Sequence, residues 1–483
     1  MHLGIDLGTS ELKLLLLDDD HQIIGTAHEA LPISRPQPLW SEQNPDDWWQ
    51  ALQRAMSTLV NSHSAALAHV RDIGLSGQMH GAVLLDEQGD ILRPAILWND
   101  GRASAECEQL AAHPALLAHT GNLAMPGFTA PKLLWVREHE PELFARVHKV
   151  LLPKDWLRFK LSGEHVSEMS DAAGTLWLDV GRRAWSEDML AATGLSLDQM
   201  PSLVEGSQAS ARLRPELAHR WGMADQVVIA GGGGDNAASA IGISAIHPGQ
   251  GFVSLGTSGV IFVVTDRFAP NPDQAVHAFC HALPSQWHQM SVMLSAASAV
   301  SWAAAVFGFA DVPALLAAAA ECRQTERHQA PLFLPYLSGE RSPHNDAHAQ
   351  GVLFGLNASH GPAALAYAVV EGVSFGLRDG LDTLMPPSSL ILTGGGARSD
   401  WWSQLLANVL QVALMKVAGG ETGGALGAAR LGWLAGGGEL AQVCPPPAAL
   451  QTFEPDATQT GLLDERLARF RGLYPLMRAG WHE

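Results

Sequence analysis

A short turn occurs twice in this chain, at positions about half the chain apart. Leu-Gly-Thr-Ser stands at residues 7–10 and again at residues 255–258, each time between two apolar runs. A turn rich in glycine and hydroxyl groups between two such runs predicts a β-hairpin. A hairpin repeated at half-length predicts two domains of like fold, each presenting its turn to a shared cleft. The alternative is an accidental repeat of four common residues.

The first turn, Asp6–Ser10, has the composition of a phosphate-binding turn. Its backbone N–H groups and hydroxyls can point at one place, which suits a phosphate. The carboxylate of Asp6 would repel a phosphate, so a cation is needed between the carboxylate and the phosphate. Mg²⁺ is the most natural one. A plain hairpin turn is the alternative interpretation.

Composition limits the classes of partner and fold. A chain of 483 residues is too long for one core, so two or three domains are expected. The net charge of −19 argues against nucleic acid as a partner, and phosphate binding must then depend on backbone N–H groups and a metal. The cysteines have no paired spacing, which predicts neither a zinc site nor disulfides and fits a reducing cytoplasm. They are Cys107, Cys280, Cys322 and Cys444.

One segment imitates a membrane span. Residues 291–310 carry no charge over a length that could cross a bilayer. Ser295, Ser298 and Ser301 fall on one stripe, and no basic cluster flanks the segment. We therefore predict a buried helix of the second domain. Asp6 stands where a secretion signal would need its apolar core, so no such signal is expected.

Polar groups follow two predicted strands of the first half. The strand 71–75 ends at Ser76–Gly81, and the next strand ends at residues 97–102. Open α/β sheets bind ligands at the carboxyl ends of their strands. His80 is then a ligand residue or a structural loop histidine. Trp98 could stack on a sugar, with hydroxyl contacts from its neighbours, or it could be a core residue. Those neighbours are Asn99, Asp100 and Arg102.

Four glycines, Gly231–Gly234, join the buried strand 226–230 to Asp235 and a helix over 237–243. Glycines let another group approach the backbone closely, and the start of a helix favours an ionised carboxylate. A positioned, ionised aspartate can accept a hydroxyl proton as a general base. An N-cap aspartate is the alternative.

Two glycine-rich stretches mark the second half. The strand 389–393 delivers Gly394–Gly396 to the helix 401–410, which predicts a site for a base or a phosphate. Residues 419–429 predict a small-residue helix that packs closely at an interdomain hinge.

Taken together, these parts resemble the nucleotide fold shared by actin, hexokinase and Hsp70. This fold class is α/β, with two ribonuclease H-like domains around a central cleft, and we expect the division at 1–244 and 245–483. Over essentially its whole length the chain resembles the FGGY carbohydrate kinases. Residues 127–139 fit the first signature of that family. Residues 351–356 and 365–371 fit the second, although Ala364 stands where a polar residue is usual.

Within the family the resemblance is greatest to members that phosphorylate D-xylulose. The supporting runs are residues 40–43, 76–81, 97–102, 233–238 and 337–344. Met79 and His80 stand where glycerol kinases carry an Arg-Glu pair, which argues against glycerol. The resemblance implies phosphorylation of a small-molecule ketose at O5 by ATP with Mg²⁺ in the cytoplasm. Nucleic acid and membrane are not expected as partners, and a homodimer is left open.

The resemblance also implies roles for particular residues. Asp235 would accept the proton of the O5 hydroxyl as that oxygen attacks the γ-phosphate of ATP. Met79, His80, Asp235 and Asn236 would hold the ketose; Asp6 would organise Mg²⁺; Gly8, Thr9, Ser10, Lys13, Gly256 and Thr257 would cradle the phosphates; Gly395 and Gly396 would receive adenosine.

Three alternatives stay open at this point. Another FGGY kinase would act on ribulose, gluconate or fuculose, because sugar choice depends on a few hydroxyl contacts. A sugar-sensing regulator of the same fold would generally append a DNA-binding helix pair. A mechanical ATPase would hydrolyse ATP without sugar and would not need Asp235 as a base.

Overall fold

The framework of the protein consists of two mixed β-sheets flanked by helices. The computed structural model describes residues 1–420 and 423–482. From edge to edge, the first sheet contains the strands Ala209–Arg212, Val228–Ala230, Asp72–Gly77, His2–Leu7, Glu11–Leu17 and Ile23–Ala30, with Gly233–Gly234 paired to Asp72–Gly77. The second sheet contains His277–Cys280, Trp287–Met293, Gly259–Thr265, Gln250–Leu255, Ser389–Thr393, Leu414–Val417 and Ala449–Phe453.

Both sheets are built around the same three-strand arrangement. In the first sheet, His2–Leu7 pairs antiparallel with Glu11–Leu17 and parallel with Asp72–Gly77. In the second sheet, Gln250–Leu255 pairs antiparallel with Gly259–Thr265 and parallel with Ser389–Thr393. The predicted duplication of a hairpin in two α/β domains is therefore confirmed.

The remaining elements cover the sheets or form short strand pairs. The short strands are Glu42–Gln43, Val83–Leu85, Ala95–Ile96, Lys149–Leu151, Val166–Glu168, Leu178–Asp179, Ala184–Trp185, Ser202–Val204, Leu332–Leu334 and Val352–Phe354. The longer α-helices are Pro45–Leu67, Ser104–Ala111, Thr129–His139, Pro153–Ser162, Asp235–Gly242, Ala297–Val306, Val312–Glu321, Pro362–Leu381, Asp400–Leu410, Gly423–Ala435 and Ala457–Trp481. The shorter ones are Pro141–Phe144, Met169–Ala172, Glu187–Ala192, Pro215–Trp221, Gln324–Arg327 and Leu440–Val443.

The uncharged segment 291–310 differs from its prediction as one buried helix. Its first residues complete the strand Trp287–Met293, which pairs with Gly259–Thr265, and a helix begins only at Ala297. The reason is that a short apolar run fits a buried strand as well as a buried helix, and a strand partner decided between them. Among the described residues no helix is long and apolar enough to cross a membrane.

A glycine-rich helix from the second half packs on the first sheet. This glycine helix, Gly423–Ala435, approaches so closely that a Cβ on Gly74 would lie 1.7 Å from the Ala428 carbonyl oxygen. A Cβ on Gly427 would lie equally close, 1.7 Å, to the carbonyl oxygen of Ala238 in the helix Asp235–Gly242. The small residues predicted over 419–429 thus join the two halves, although positions 421 and 422 lie outside the described residues.

We predict that Gly74→Ala lowers the free energy of unfolding by about 1–3 kcal/mol, because the new methyl group forces the sheet and the glycine helix apart. Urea denaturation followed by tryptophan fluorescence measures the change. Gly472→Ala is the matched control, because nothing lies within 4 Å of its added Cβ on an exposed helix face. That variant should be unchanged or more stable by up to about 1 kcal/mol. Equal stability of Gly74→Ala and the parent would contradict the close packing.

Candidate active site

The glycine run places Asp235 beside the central strand of the first sheet. Gly232 has a φ of +81°, and a Cβ there would lie 2.2 Å from the Leu75 carbonyl oxygen. Only glycine allows both that backbone angle and that approach. The chain then turns, and Asp235 becomes the first residue of the helix Asp235–Gly242. The N-cap is Gly234, so the alternative interpretation of Asp235 as the N-cap is wrong.

One oxygen of the Asp235 carboxylate is occupied within the protein. Oδ1 accepts hydrogen bonds from the backbone N–H of Asn236 at 2.7 Å and from its Nδ2 at 3.0 Å. Oδ2 has no hydrogen-bond partner among residues 1–420 and 423–482. The side chain is open to the cleft, so Oδ2 is available to a ligand.

The protein surroundings make Asp235 more basic than an ordinary aspartate. The walls of the cleft displace water from around the carboxyl group, which raises its pKa to about 6, and the charge of Asp6 acts in the same direction. Hydrogen bonds from Asn236 oppose this shift. The group is therefore ionised at neutral pH and close enough to its pKa to take up a proton.

Buried groups that the sequence analysis missed hold the glycine run in place. The Arg158 guanidinium donates to the carbonyl oxygen of Gly231, and the backbone N–H of Gly234 donates to Oγ of Ser170 at 3.0 Å. Arg158 forms an ion pair with Asp155 at 2.8 Å, with neither side chain exposed to solvent. Charged residues at buried positions of the helix Pro153–Ser162 were the available signal.

Met79 lies next to the glycine loop that precedes Asp235, and His80 follows it in the chain. A Cβ on Gly234 would lie 2.9 Å from the Met79 sulfur. His80 has a φ of +68°, which is rare for a residue with a side chain, and its Nδ1 donates to the Gly174 carbonyl oxygen at 2.7 Å. Burial lowers the pKa of His80 to about 3, so the ring is neutral and Nε2 can only accept.

A cavity of about 290 Å³ lies beside His80. We call it the sugar-side cavity, and its walls include His80, Trp98, Asn99, Phe128, His277 and Arg341. Trp98 is 49% exposed there rather than part of the core. His277 and Arg341 come from the second half of the chain, and the sequence analysis gave them no role.

Arg102 does not line the sugar-side cavity, which corrects the expectation that its side chain bonds sugar hydroxyls. Its side chain is buried and pairs with Asp100 at 2.8 Å and with Glu42 at 2.7 Å. The guanidinium also lies 3.6 Å from the ring centre of Trp40. These contacts compensate the buried charge, and they also occupy the carboxylate of Asp100.

Asp6 lies between the first hairpin and the glycine helix. It is half-buried beside a cavity of about 380 Å³ whose walls include Lys13 and Gly424. A Cβ on Gly424 would lie 2.6 Å from an Asp6 carboxylate oxygen. Burial raises the pKa of Asp6, while Ser76 and Lys13 act against this shift. A carboxylate at this place is an oxygen donor that could hold a divalent cation.

The first hairpin turn is tied to the sugar-side cavity. Thr9 Oγ1 accepts from the indole N–H of Trp98 at 2.9 Å and donates to Gln78 Oε1 at 3.2 Å. Gln43 Nε2 donates to the Thr9 carbonyl oxygen at 2.7 Å. Thr9 therefore offers a ligand mainly its backbone N–H, while Ser10 is exposed and Gly8 is half-buried.

A second cavity, of about 400 Å³, is lined by Asn236, the residue that follows Asp235. We call it the nucleotide-side cavity, and its walls include Asn236, Ser239, Gly394, Gly395, Gly423 and Gly424. A Cβ on Gly395 would meet nothing within 4 Å, so this glycine faces open space. Gly396 is instead packed against Leu255 and Trp402, and it is not among the residues that line this cavity.

The second hairpin turn abuts the start of the helix Ala297–Val306. The carbonyl oxygen of Thr257 accepts from the Ala296 N–H at 3.0 Å, and that of Gly256 accepts from the Ala297 N–H at 3.0 Å. Neither residue belongs to the lining of the nucleotide-side cavity. The structure thus brings Asp235, Asn236 and Gly395 toward one another, and it leaves Gly256 and Thr257 at the second turn.

Comparison with known proteins shows the family of the chain. Residues 1–242 match the N-terminal domain of the FGGY family of carbohydrate kinases, and residues 251–436 match its C-terminal domain. The chain is 53% identical to the xylulose kinase of Escherichia coli (strain K12), with 99% of this chain and 100% of the relative covered. It is 36% identical to the xylulose kinase of Bacillus subtilis (strain 168), with 89% and 87% covered.

A solved structure shows the same fold. The crystal structure of the xylulose kinase from Brucella ovis superposes with a TM-score of 0.96 at 49% identity, and 99% of each chain is covered. The predicted fold class and the predicted family resemblance are therefore both confirmed. Two family domains that together span most of the sequence, and relatives of this identity, establish that the chain belongs to the FGGY family of carbohydrate kinases.

Proposed function

We propose that this protein transfers the γ-phosphoryl group of ATP to the O5 hydroxyl of D-xylulose, forming ADP and D-xylulose 5-phosphate. The observation that carries the proposal is the Asp235 carboxylate: its Oδ2 has no hydrogen-bond partner among the described residues, it follows the glycine loop that touches Met79, and its neighbour Asn236 lines the nucleotide-side cavity. Relatives of up to 53% identity that are xylulose kinases support the choice of sugar. Another FGGY kinase activity, on ribulose, gluconate or fuculose, is the alternative.

In this mechanism Asp235 is the general base. Oδ2 accepts the proton of the sugar hydroxyl as the oxygen attacks phosphorus, while Oδ1 stays bonded to Asn236. A pKa of about 6 leaves the group ionised at neutral pH and able to hold the proton during transfer. Phosphoryl transfer needs little other covalent chemistry from the protein, since positioning and charge neutralisation lower most of the barrier.

Met79, His80 and Asn236 hold the ketose beside this base. The neutral His80 accepts a sugar hydroxyl through Nε2, because Nδ1 is committed to Gly174. Met79 forms an apolar wall against the glycine loop, and it thereby limits where the sugar carbon chain can lie. Asn236 reaches both Asp235 and the nucleotide-side cavity.

The phosphates and the metal belong on the other side of Asp235. Asp6 fits a Mg²⁺ ion, because it is a half-buried carboxylate whose negative charge also raises the pKa of Asp235. Mg²⁺ held there would neutralise charge on the transferring phosphates. Residues of both hairpin turns and of the glycine turn complete the nucleotide site: Gly8, Thr9, Ser10, Lys13, Gly256 and Thr257 toward the phosphates, and Gly395 and Gly396 toward adenosine.

Three further features belong to the same proposal. We infer two functional domains divided at 1–244 and 245–483, with the glycine helix connecting them. We also infer a cytoplasmic location, where ATP and free pentuloses are available. A homodimer is the assembly state that sedimentation analysis would test.

The first prediction is a sugar preference. ADP release from Mg·ATP should rise far above the sugar-free rate with D-xylulose, and less with D-ribulose, gluconate, L-fuculose or glycerol. A coupled ADP assay measures this directly. If another sugar gives the highest kcat/KM, the proposed substrate is wrong although the kinase activity stands. ATP hydrolysis at a rate that no sugar changes would support a mechanical or sensing ATPase.

Asp235→Asn should lower kcat for sugar phosphorylation by about 10²–10⁴-fold, because the amide cannot accept the hydroxyl proton. Steady-state kinetics and thermal unfolding of the same preparations separate lost chemistry from lost fold. Asp225→Asn is the control, since Asp225 is an exposed aspartate in the turn that precedes the strand Val228–Ala230. Near-normal turnover by Asp235→Asn would refute the base assignment.

The pH dependence of kcat/KM should show the titration of Asp235. Burial raises the pKa of Asp235 to about 6, so the base form is lost as the pH falls through this value. The kcat/KM for D-xylulose should therefore be level above about pH 7 and should fall tenfold for each pH unit below about 6. A profile that stays level down to pH 5 would contradict the assignment.

A further inference from the structure

Arg341 lines the sugar-side cavity, and the mechanism above does not use it. Its guanidinium has no hydrogen-bond or ion-pair partner among residues 1–420 and 423–482. The other charged group of this lining, Asp100, is already paired with Arg102. Arginine remains protonated and offers five N–H donors. The carboxylate of the adjacent Glu340 acts electrostatically on Arg341 but forms no ion pair with it. The N–H groups of this half-buried guanidinium are therefore suited to a ligand that supplies acceptor oxygens.

The residues on either side of Arg341 fix its backbone. Glu340 Oε1 accepts from the N–H of Leu294 at 2.9 Å and from the N–H of Arg341 at 2.8 Å. The N–H of Ser342 donates to the Val292 carbonyl oxygen at 3.0 Å. Both neighbours are buried, 3% and 2% exposed, while the Arg341 side chain faces the cavity. The guanidinium is therefore presented from a rigid part of the second domain.

The two histidines of this cavity carry no positive charge. Burial keeps His80 and His277 neutral by lowering the pKa of each. His277 stacks on Phe279 at 5.5 Å between ring centres and meets Phe128 edge-on at 5.6 Å. The positive charge on the cavity wall thus comes from Arg341, opposite neutral rings.

The order of groups along the cleft shows which part of the sugar Arg341 meets. Asn236 lines the nucleotide-side cavity, and Asp235 follows the glycine loop that touches Met79. His80, next in the chain, lines the sugar-side cavity with Arg341. A pentulose whose O5 lies at Asp235 extends away from the nucleotide, so its C1–C2 end reaches the sugar-side cavity.

We propose that Arg341 forms a subsite for the C1–C2 end of the ketose, donating N–H hydrogen bonds to the carbonyl oxygen O2. This subsite rests on the proposed function of the cleft. A ketone oxygen can only accept hydrogen bonds, and a guanidinium can only donate them, so the pair is chemically matched. The C2 hydroxyl of the corresponding alditol can also accept a hydrogen bond, but it lies on a tetrahedral carbon and adds an O–H donor next to the guanidinium donors. Arg341 therefore favours the ketose over the alditol. It is a specificity-determining residue supplied by the second domain.

The test compares Arg341→Met with the parent enzyme on two substrates. D-xylulose carries the carbonyl, and D-arabinitol has the same remaining carbon skeleton with C2 reduced. The variant should lose about 10- to 100-fold in kcat/KM for D-xylulose, the effect of one charge-assisted hydrogen bond. Loss for D-arabinitol should be at least about fivefold smaller, and KM for ATP should not change. Arg341→Lys should lie between the two enzymes, because lysine keeps the charge but not the planar donors.

Several outcomes would overturn the subsite. Equal losses on both substrates would show that Arg341 does not read C2, and a changed KM for ATP would place it with the nucleotide. If the parent enzyme prefers gluconate and Arg341→Met loses that activity, the guanidinium binds a carboxylate instead. A parent enzyme inactive on D-xylulose would refute the proposed function, whereas normal D-xylulose kinetics in Arg341→Met would refute only this subsite.

The control variant is Arg469→Met, an exposed arginine on the terminal helix Ala457–Trp481. It removes the same charge and adds the same side chain far along the sequence from the cavity. Its kinetics should match those of the parent enzyme. Thermal unfolding of all variants shows whether any loss of activity reflects a loss of fold.

Discussion

Direct contact of one backbone with another holds the two halves of this protein together. Gly74 meets the carbonyl of Ala428, and Gly427 meets the carbonyl of Ala238, at distances that leave no room for a side chain. The same glycine helix therefore touches the central strand of the first sheet and the helix that begins at Asp235. The position of Asp235, the first residue of that helix, depends on this contact.

The proposed role of Asp235 requires a carboxylate that is ionised, rigid and only partly solvated, and separate parts of the fold contribute to each condition. The glycine run lets the backbone approach the strand Asp72–Gly77 closely. Hydrogen bonds with Arg158 and Ser170 hold this run in place. The walls of the cleft remove water and raise the pKa of Asp235 to about 6. Thr9 accepts a hydrogen bond from Trp98, so the first hairpin turn and the sugar-side cavity share one hydrogen-bond network.

Local patterns predicted the hairpins, the glycine turns and Asp235 from the sequence, because each depends on a few adjacent residues. The resemblance supplied Met79 and His80. Sequence reasoning failed where the partner is distant in the chain: Arg158 meets Gly231 only in the fold, and Arg341 reaches the cavity from the second half. The expectation for Arg102 was wrong because Glu42, a partner 60 residues away in the chain, pairs with it in addition to the nearby Asp100. The structure of the uncharged segment 291–310 could not be predicted from the sequence, because its first residues form a strand only by pairing with the strand Gly259–Thr265.

The glycine helix also orders events during synthesis. It leaves the ribosome roughly 350 residues after the strand Asp72–Gly77 that it covers. Translation adds about 5–20 residues per second, so the apolar face of the first sheet stays uncovered by the glycine helix for on the order of 20–70 s. Nascent chains halted before residue 423 therefore carry an incomplete first domain, even though every strand of its sheet has been made. The first half of this protein therefore emerges first, but its core is complete only after residues 423–435 have been made.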